Sequence, residues 1–480
     1  MAVRVDRPHL SPAHLRTLLT TERPRPDRIR TSPWAWRLAV GTVCFGAFMG
    51  QLDASIVTLT YQPLRTEFHS TLAGVEWVSL SYLLTLVAIL VPVGRLSDIR
   101  GRKLMYLYGF AVFTAASAAC GLAPGLAALV AFRLVQAIGA ALMQANSVAL
   151  VTTSAPPDKM RAALGMQAAG QAIGLALGPT IGGALVATLG WRWVFGVNVP
   201  IGILALVAGH YLLPRTRQCA TGTRIDPLSV LLLACSTTTA LLALSIASGL
   251  GLPAWTALLL TAAAVAAGWA FLRRQAHCAH PLLDLALLRT GRLGPGLLAG
   301  LCCYLVLFGP LVLVPVELAR HGSTPLAIGL VLTALPLGFA LAATTAERLL
   351  PAAWSDQRRS RVGALGCVLA LALLAALPLH VGVLPYPLAL LGLALGVFVP
   401  ANNTLVMRAI PTASAGTGGG MVNMTRGLGT AIGVAAVTLA LHLAPGDSGA
   451  CTAALTLLAF AVLALVTTLP GRPPAHRTGA

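Results

Sequence analysis

Fourteen stretches of this chain are each about 20 residues long and nearly free of charge, at roughly 38–61, 74–94, 104–123, 126–150, 163–188, 193–213, 227–249, 254–272, 294–318, 325–346, 362–380, 383–406, 416–442 and 450–469. About 20 apolar residues carry an α-helix across the hydrocarbon of a bilayer, where a helix satisfies its own backbone donors and acceptors. The expected fold class is therefore an all-α integral membrane protein with 14 transmembrane helices. Composition agrees, since 57% of the 480 residues are hydrophobic and 10% are charged, against about 25% charged in soluble domains. A formal net charge of +19 would suit a nucleic-acid binder, but no nucleic-acid motif is present. The basic residues, all Arg except Lys103 and Lys159, lie mostly in short connections between apolar runs. The bilayer, not nucleic acid, is the expected partner.

The distribution of those charges tests the helix count independently, because cytoplasmic connections collect Lys and Arg. With the N-terminus inside, all but five of the 33 basic residues fall in the tails or in connections on the inner side. The exceptions are Arg65, Arg192 and Arg320 on the outer side and Arg133 and Arg426 within spans. One missed or invented helix would scramble this partition from that point onward. Both termini are expected in the cytoplasm, and the protein in the cell membrane. The Arg- and Pro-rich opening segment (TERPRPDRIR) reads as a disordered tail. Nine cysteines lie mostly inside apolar runs, without CxxC or Cys/His spacing, and read as small core residues. His277 and His280 form a lone pair in a connection and read as solvated; no metal is expected.

Laying GMQAAGQAIGLALGP, from Gly165, on GMVNMTRGLGTAIGV, from Gly420, matches Gly165, Met166, Gly174, Ala176 and Gly178 with Gly420, Met421, Gly429, Ala431 and Gly433. The shift carries the fifth span onto the thirteenth, an even number of crossings, so the halves would be parallel repeats. The expected division is a disordered tail at 1–37, a six-helix bundle at 38–213, a linking region with two extra central helices at 214–293, a second six-helix bundle at 294–470 and a tail at 471–480. Two such halves describe a transporter that rocks around a central site. No catalytic constellation or nucleotide-binding loop is present, so the chain reads as neither an enzyme nor an ATP-driven pump.

Between the second and third spans stands GRLSDIRGRK, with Gly94, Asp98, Gly101, Arg102 and Lys103. A basic inner loop accounts for its Arg and Lys, but not for the Asp or the two glycines. The stretch resembles the loop signature of the major facilitator superfamily. That resemblance implies a latch, in which Asp98 faces the N-terminus of the thirteenth helix, Arg102 holds it in place, and the state closed to the cytoplasm is favoured.

In the fifth span Gly170, Gly174, Gly178 and Gly182 recur every four residues and line one face, as close helix packing requires. Gly178-Pro179 followed by Gly182-Gly183 goes further and resembles the superfamily's antiporter motif, which implies export. In the fourth span RLVQAIGAA resembles the superfamily pattern at Arg133, Gln136 and Gly139, with Ala137 where Gly is usual. An ionised Arg in a membrane costs at least about 2.5–3.5 kcal/mol, so Arg133 should face a polar cavity with a partner or snorkel to the outer surface. At about 1.5 Å per residue, Asp53 in the first span lies within about one helical turn of Arg133 in depth, so the two can pair. LDASIV, around Asp53, resembles the first-helix motif of the fourteen-helix drug:proton antiporter branch, departing at Thr58, Thr60 and Tyr61 and with its proline at Pro63.

Asp53 is thus the leading candidate for proton carrier. Burial favours a neutral carboxyl and a neighbouring guanidinium favours the ionised form, so movement of Arg133 or of substrate can switch protonation. Glu317, near the outer end of the ninth span, is either a second proton or cation site or an interfacial carboxylate paired with Arg320. Arg426 and Asn423, in NMTRGLGTAIG, resemble the same branch and would line the substrate cavity with Gln136, either binding an anionic group or bonding helix to helix. WRWVFGVNVPIG, from Trp191, also resembles that branch, and its Trp pair would anchor at the interface. The function implied is proton-coupled export of a small amphipathic compound by a monomer, with no cofactor and the proton gradient as energy source. Uptake by proton symport and export of an endogenous metabolite, peptide or lipid are the alternatives, since the fold alone hosts many specificities.

Overall fold

The computed structural model describes residues 22, 24–216, 225–247, 253–278, 281–285, 288, 293–444 and 447–469. Most of the expected N-terminal tail (1–21 and 23), all of the C-terminal tail, parts of the 214–293 region, and His280 lie outside them.

All regular structure among the described residues is helical. Fourteen helical spans among the described residues are long and apolar enough to cross a membrane, the sixth, Arg192–Leu212, being a short helix, Arg192–Gly196, run on into a longer one. The main helices of the spans are α1 (Ala35–Ile56), α2 (Leu72–Arg100), α3 (Arg102–Gly121), α4 (Leu126–Ser154), α5 (Met160–Thr188), α6 (Asn198–Leu212), α7 (Pro227–Ala247), α8 (Ala254–His277), α9 (Leu293–Arg320), α10 (Pro325–Leu349), α11 (Asp356–Ala376), α12 (Pro385–Arg408), α13 (Ala415–Leu443) and α14 (Asp447–Thr467). Side-chain caps set several starts, with Thr71 accepting from Gly74 N (3.1 Å), Thr324 from Ala327 N (3.3 Å) and Ser355 from Arg358 N (3.3 Å).

Among the boundaries that differ from the sequence reading, three have a clear local cause. Helix α1 passes into a 3-10 turn, Val57–Thr60, and a short helix, Tyr61–Glu67, whose first turn accommodates Pro63. Helix α2 does not stop at the charged stretch but runs to Arg100, and the connection to α3 is the single residue Gly101 at φ +104°, a conformation that glycine adopts without strain. Helix α11 begins at Asp356 rather than near 362, because Ser355 caps it.

Helix neighbours repeat with a step of eight. In the first half α1 packs on α5 and α6, α2 on α4, and α3 on α4 and α6; in the second α9 packs on α13 and α14, α10 on α12, and α11 on α12 and α14. The two halves are therefore parallel six-helix bundles, meeting where α2 and α4 pack on α13 and where α10 and α12 pack on α5. The α7–α8 hairpin stands outside both, with α7 laid along the α2–α13 seam and α8 packed on α7.

At the end of the molecule that carries the α2–α3 connection, here called the basic end, the seam is built from small residues. A Cβ on Gly94 would strike the Gly416 carbonyl, one on Gly165 the Ala343 carbonyl, and one on Gly420 would lie 2.5 Å from the Leu90 carbonyl. The halves are in backbone contact there, so that end is sealed.

The four-residue glycine stripe of α5 faces α1. A Cβ at Gly174 would sit 2.5 Å from the Phe48 carbonyl, whereas one at Gly183 meets nothing within 4 Å. Gly174→Val should therefore force the α1 and α5 backbones apart at a cost of at least about 1–3 kcal/mol, and Gly183→Val should cost little. Thermal aggregation of the two detergent-solubilised variants checks this contrast, and equal midpoints would refute the packing account.

Candidate functional site: a sealed basic end and a buried charge cluster

Asp98 lies on the last turns of α2, fully buried. Its Oδ1 accepts from Arg102 Nε (3.0 Å) and Nη2 (2.8 Å) on α3, and from Gly416 N (2.7 Å) on α13. Its Oδ2 accepts from Thr417 N (2.8 Å) and Thr417 Oγ1 (2.7 Å). The first-turn N–H groups of α13 have no partner within the helix, and a carboxylate satisfies both their hydrogen-bonding need and their partial positive charge. Arg102 also donates to the Thr412 carbonyl (2.5 Å), so it too spans the seam. Gly94 sits one turn earlier on α2, against Gly416. Lys103 turns the other way and donates to the His210 (2.8 Å) and Leu213 (2.9 Å) carbonyls at the end of α6. The GRLSDIRGRK stretch thus ties α2, α3, α6 and α13 at one point.

Asp53 and Arg133 meet in the middle of the first half. Arg133 Nη1 donates to Asp53 Oδ2 at 2.7 Å, and both side chains are at most 1% exposed. Gln136 and Asn198 each donate to Asp53 Oδ1 at 3.1 Å. Arg133 Nη1 also donates to Gln136 Oε1 (2.5 Å), its Nε donates to the Val78 carbonyl (3.0 Å), and its guanidinium lies 4.1 Å from the Tyr82 ring centroid. Gln136 Nε2 donates in turn to Ser117 Oγ (2.8 Å). Helices α1, α2, α3, α4 and α6 all contribute to this cluster. Arg133 does not snorkel: its charge is met by a carboxylate, a carbonyl and an aromatic face, as a buried guanidinium requires.

These observations place a dual bundle with 14 spans, a sealed seam and a buried charge cluster on one chain. Residues 43–434 match the Major Facilitator Superfamily. The chain belongs to that superfamily. It is a multi-pass membrane transporter and not an enzyme. It is 31% identical over 430 residues to the tetracenomycin C resistance and export protein of Streptomyces glaucescens, covering 87% of this chain and 78% of that one. It is 30% identical over 408 residues to a riboflavin transporter of Clostridioides difficile (strain 630), covering 82% and 85%. The crystal structure of the human organic anion transporter MFSD10 superimposes with a TM-score of 0.67 at 20% identity, over 92% of this chain and all of that one, which shows the shared fold.

The three residues expected to line a substrate cavity, Arg426, Asn423 and Gln136, have different surroundings, and Arg426 stands at a void far smaller than a substrate. It borders a small central cavity of about 10 Å3 with Gln51, Gln144, Ser147 and Gln171, and its Nη2 donates to Gln144 Oε1 across the seam. Asn423 is a cross-seam brace that donates to the Gln144 carbonyl at 2.7 Å. Gln136 is fully buried within the Asp53 cluster. In the antiporter stretch, Gly170, Gly174, Gly178 and Gly182 all face α1, while Pro179 and Gly183 lie on the exposed side of α5. Glu317 is 1% exposed, pairs with Arg320 (2.9 Å), and keeps Oε2 without a partner. It borders a cavity of about 330 Å3 with His321 and His380 between α9, α11 and α14. Trp193 is exposed as an interfacial anchor should be, but Trp191 is buried against Phe68 and Phe195, with its indole N–H donating to Glu67 at 2.5 Å.

Sequence reasoning missed Asn198, Ser117 and Tyr82, and also a second charged crossing of the seam. At the basic end Arg161, opening α5, pairs with Glu347 at the end of α10 and with Asp356 at the start of α11, and Arg408, closing α12, pairs with Asp356 at 2.8 Å. The available signal was the presence of carboxylates among basic residues, the same feature that singled out Asp98.

Proposed function

We propose that this transporter exports a small amphipathic compound in exchange for protons, by alternating access between its two halves. In this reading it works as a monomer with no cofactor, the basic end and both termini face the cytoplasm, and the membrane is the cell membrane. The observation that carries the reading is the Asp53 cluster, a buried carboxylate whose charge is balanced by the Arg133 guanidinium. Protonation of Asp53 would release Arg133 to other acceptors, and deprotonation would draw it back, so the two protonation states favour different packings of α1 and α4. The export direction draws on the tetracenomycin C relative and on the glycine face of α5; the riboflavin relative keeps a metabolite as the alternative substrate.

The test uses inside-out vesicles with an imposed proton gradient, to which lipophilic cations, polycyclic antibiotics and riboflavin are added in turn. At least one of the first two classes should release protons at a rate that saturates with concentration, and vesicles lacking the protein should not respond. Release by riboflavin alone would move the substrate to the metabolite class, and uptake with proton influx in right-side-out vesicles would replace export by symport.

A further inference from the structure

Toward the end opposite the latch, a cavity of about 400 Å3 lies between α2 and α13. Its third wall is α7, through Leu241, Leu244 and Ser245. The floor is apolar, where Leu83 and Leu241 join the small cluster around Val87. At its other end the cavity is bordered by Glu76 on α2 and Tyr61. Glu76 is half-buried and has no hydrogen-bond or ion-pair partner among the described residues, although it lies within electrostatic reach of the Tyr61 hydroxyl. A carboxylate in the second turn of a helix gains a little from the helix dipole, but that does not balance a charge set beside an apolar chamber.

We propose that this chamber is a second binding site, which takes an organic cation with a bulky apolar body, and that α7 of the extra hairpin exists in part to close it. The volume falls in the range of small-molecule sites, about 300–1,000 Å3, and the wall follows their pattern of apolar lining with few polar groups. Charge fixes the class of occupant: the group at its rim that is charged at neutral pH is the Glu76 carboxylate, so a cation gains what an anion loses. Two bundles of six helices alone would leave the α2–α13 gap open to lipid, and α7 turns it into a chamber reached from the bilayer. The proposal rests on the export reading only in taking its occupant from the exported class.

The experiment is equilibrium binding of tetraphenylphosphonium to the purified full-length protein in phosphatidylcholine nanodiscs, with no gradient, and tetraphenylborate as an anion of the same shape. The cation should bind saturably and the anion should not, and Glu76→Gln should weaken the cation at least tenfold. Val434→Trp, which fills the chamber from α13 without touching the carboxylate, should weaken it as well and serves if Glu76→Gln fails to fold. Equal affinity for both ions would overturn the proposal and assign the chamber to a lipid tail. Binding unchanged within twofold in both variants, binding lost only in Asp53→Asn, or no saturable binding at all would each overturn it too. Because no transport is measured, failure of the export assay leaves this result standing, and the reverse also holds.

Discussion

Asp53→Asn should abolish compound-driven proton release, lowering its initial rate at least about 100-fold, while downhill flux of the same compound survives. The contacts give the reason. Asn reproduces the shape of Asp and one of its two acceptor oxygens, so Gln136 and Asn198 can keep a partner. What it cannot reproduce is the charge facing Arg133 at 2.7 Å. A guanidinium left buried without a counter-charge destabilises a protein by about 3–5 kcal/mol, whereas removing both members of a buried pair is often nearly neutral. The double variant Asp53→Asn/Arg133→Gln should therefore be more thermostable than Asp53→Asn alone, yet equally unable to couple. That pattern separates a proton site from a structural ion pair: a merely structural role predicts that coupling returns with stability. Proton release at the wild-type rate in well-folded Asp53→Asn would remove Asp53 from the coupling step and make Glu317, buried with an unpartnered Oε2, the next carboxylate to replace.

What the sequence made legible follows from periodicities that the bilayer enforces. Helix number could be read because each crossing needs about 20 apolar residues, and the sidedness of Lys and Arg exposes any miscount. The Asp53–Arg133 pair was within reach because rise per residue converts position along two helices into depth. Asn198 was not, since an uncharged amide at the start of α6 carries no cost large enough to demand a partner, and Tyr82 reads as one more apolar residue of α2. Gln136 and Asn423 are placed in a cavity through the family resemblance, which carries their positions and not their contacts. The sequence holds no information on whether such an amide points at substrate, at a charge or at a neighbouring carbonyl; Gln136 points at a charge and Asn423 at a carbonyl.

The second seam crossing was hidden for a different reason. Arg161 opens α5, whereas Glu347, Asp356 and Arg408 stand at the ends of the consecutive helices α10, α11 and α12 in the other half, and each taken alone is an ordinary charge at a helix end. The chamber beside α7 was equally invisible, because the hairpin's place against α2 and α13 is a tertiary fact. Glu76 carries no motif, and its place beside the cavity depends on where α7 packs.

Asp98→Asn should unseal the basic end. The carboxylate holds Gly416 N, Thr417 N and Thr417 Oγ1 across the seam, and hydrogen bonds to a charged group are each worth about 1.5–3 kcal/mol. An Asn keeps one oxygen but turns an NH2 group toward donors, so the loss should reach about 3 kcal/mol or more, enough to shift a two-state equilibrium more than about 100-fold. Arg161→Ala should shift it less, since Arg161 and Glu347 are 20% and 29% exposed and their pairing is screened. The readout is Ser147→Cys, a near-isosteric change beside Arg426 in the small central cavity, in a background without other cysteines. A membrane-impermeant maleimide added at the basic end should leave it unmodified in the parent and modify it in Asp98→Asn, with Arg161→Ala between. Equal protection in all three would mean that backbone contact at Gly94, Gly165 and Gly420 seals the end without help from the charges. The charged contacts would then add too little to the free-energy difference between the closed and open states to shift their populations detectably.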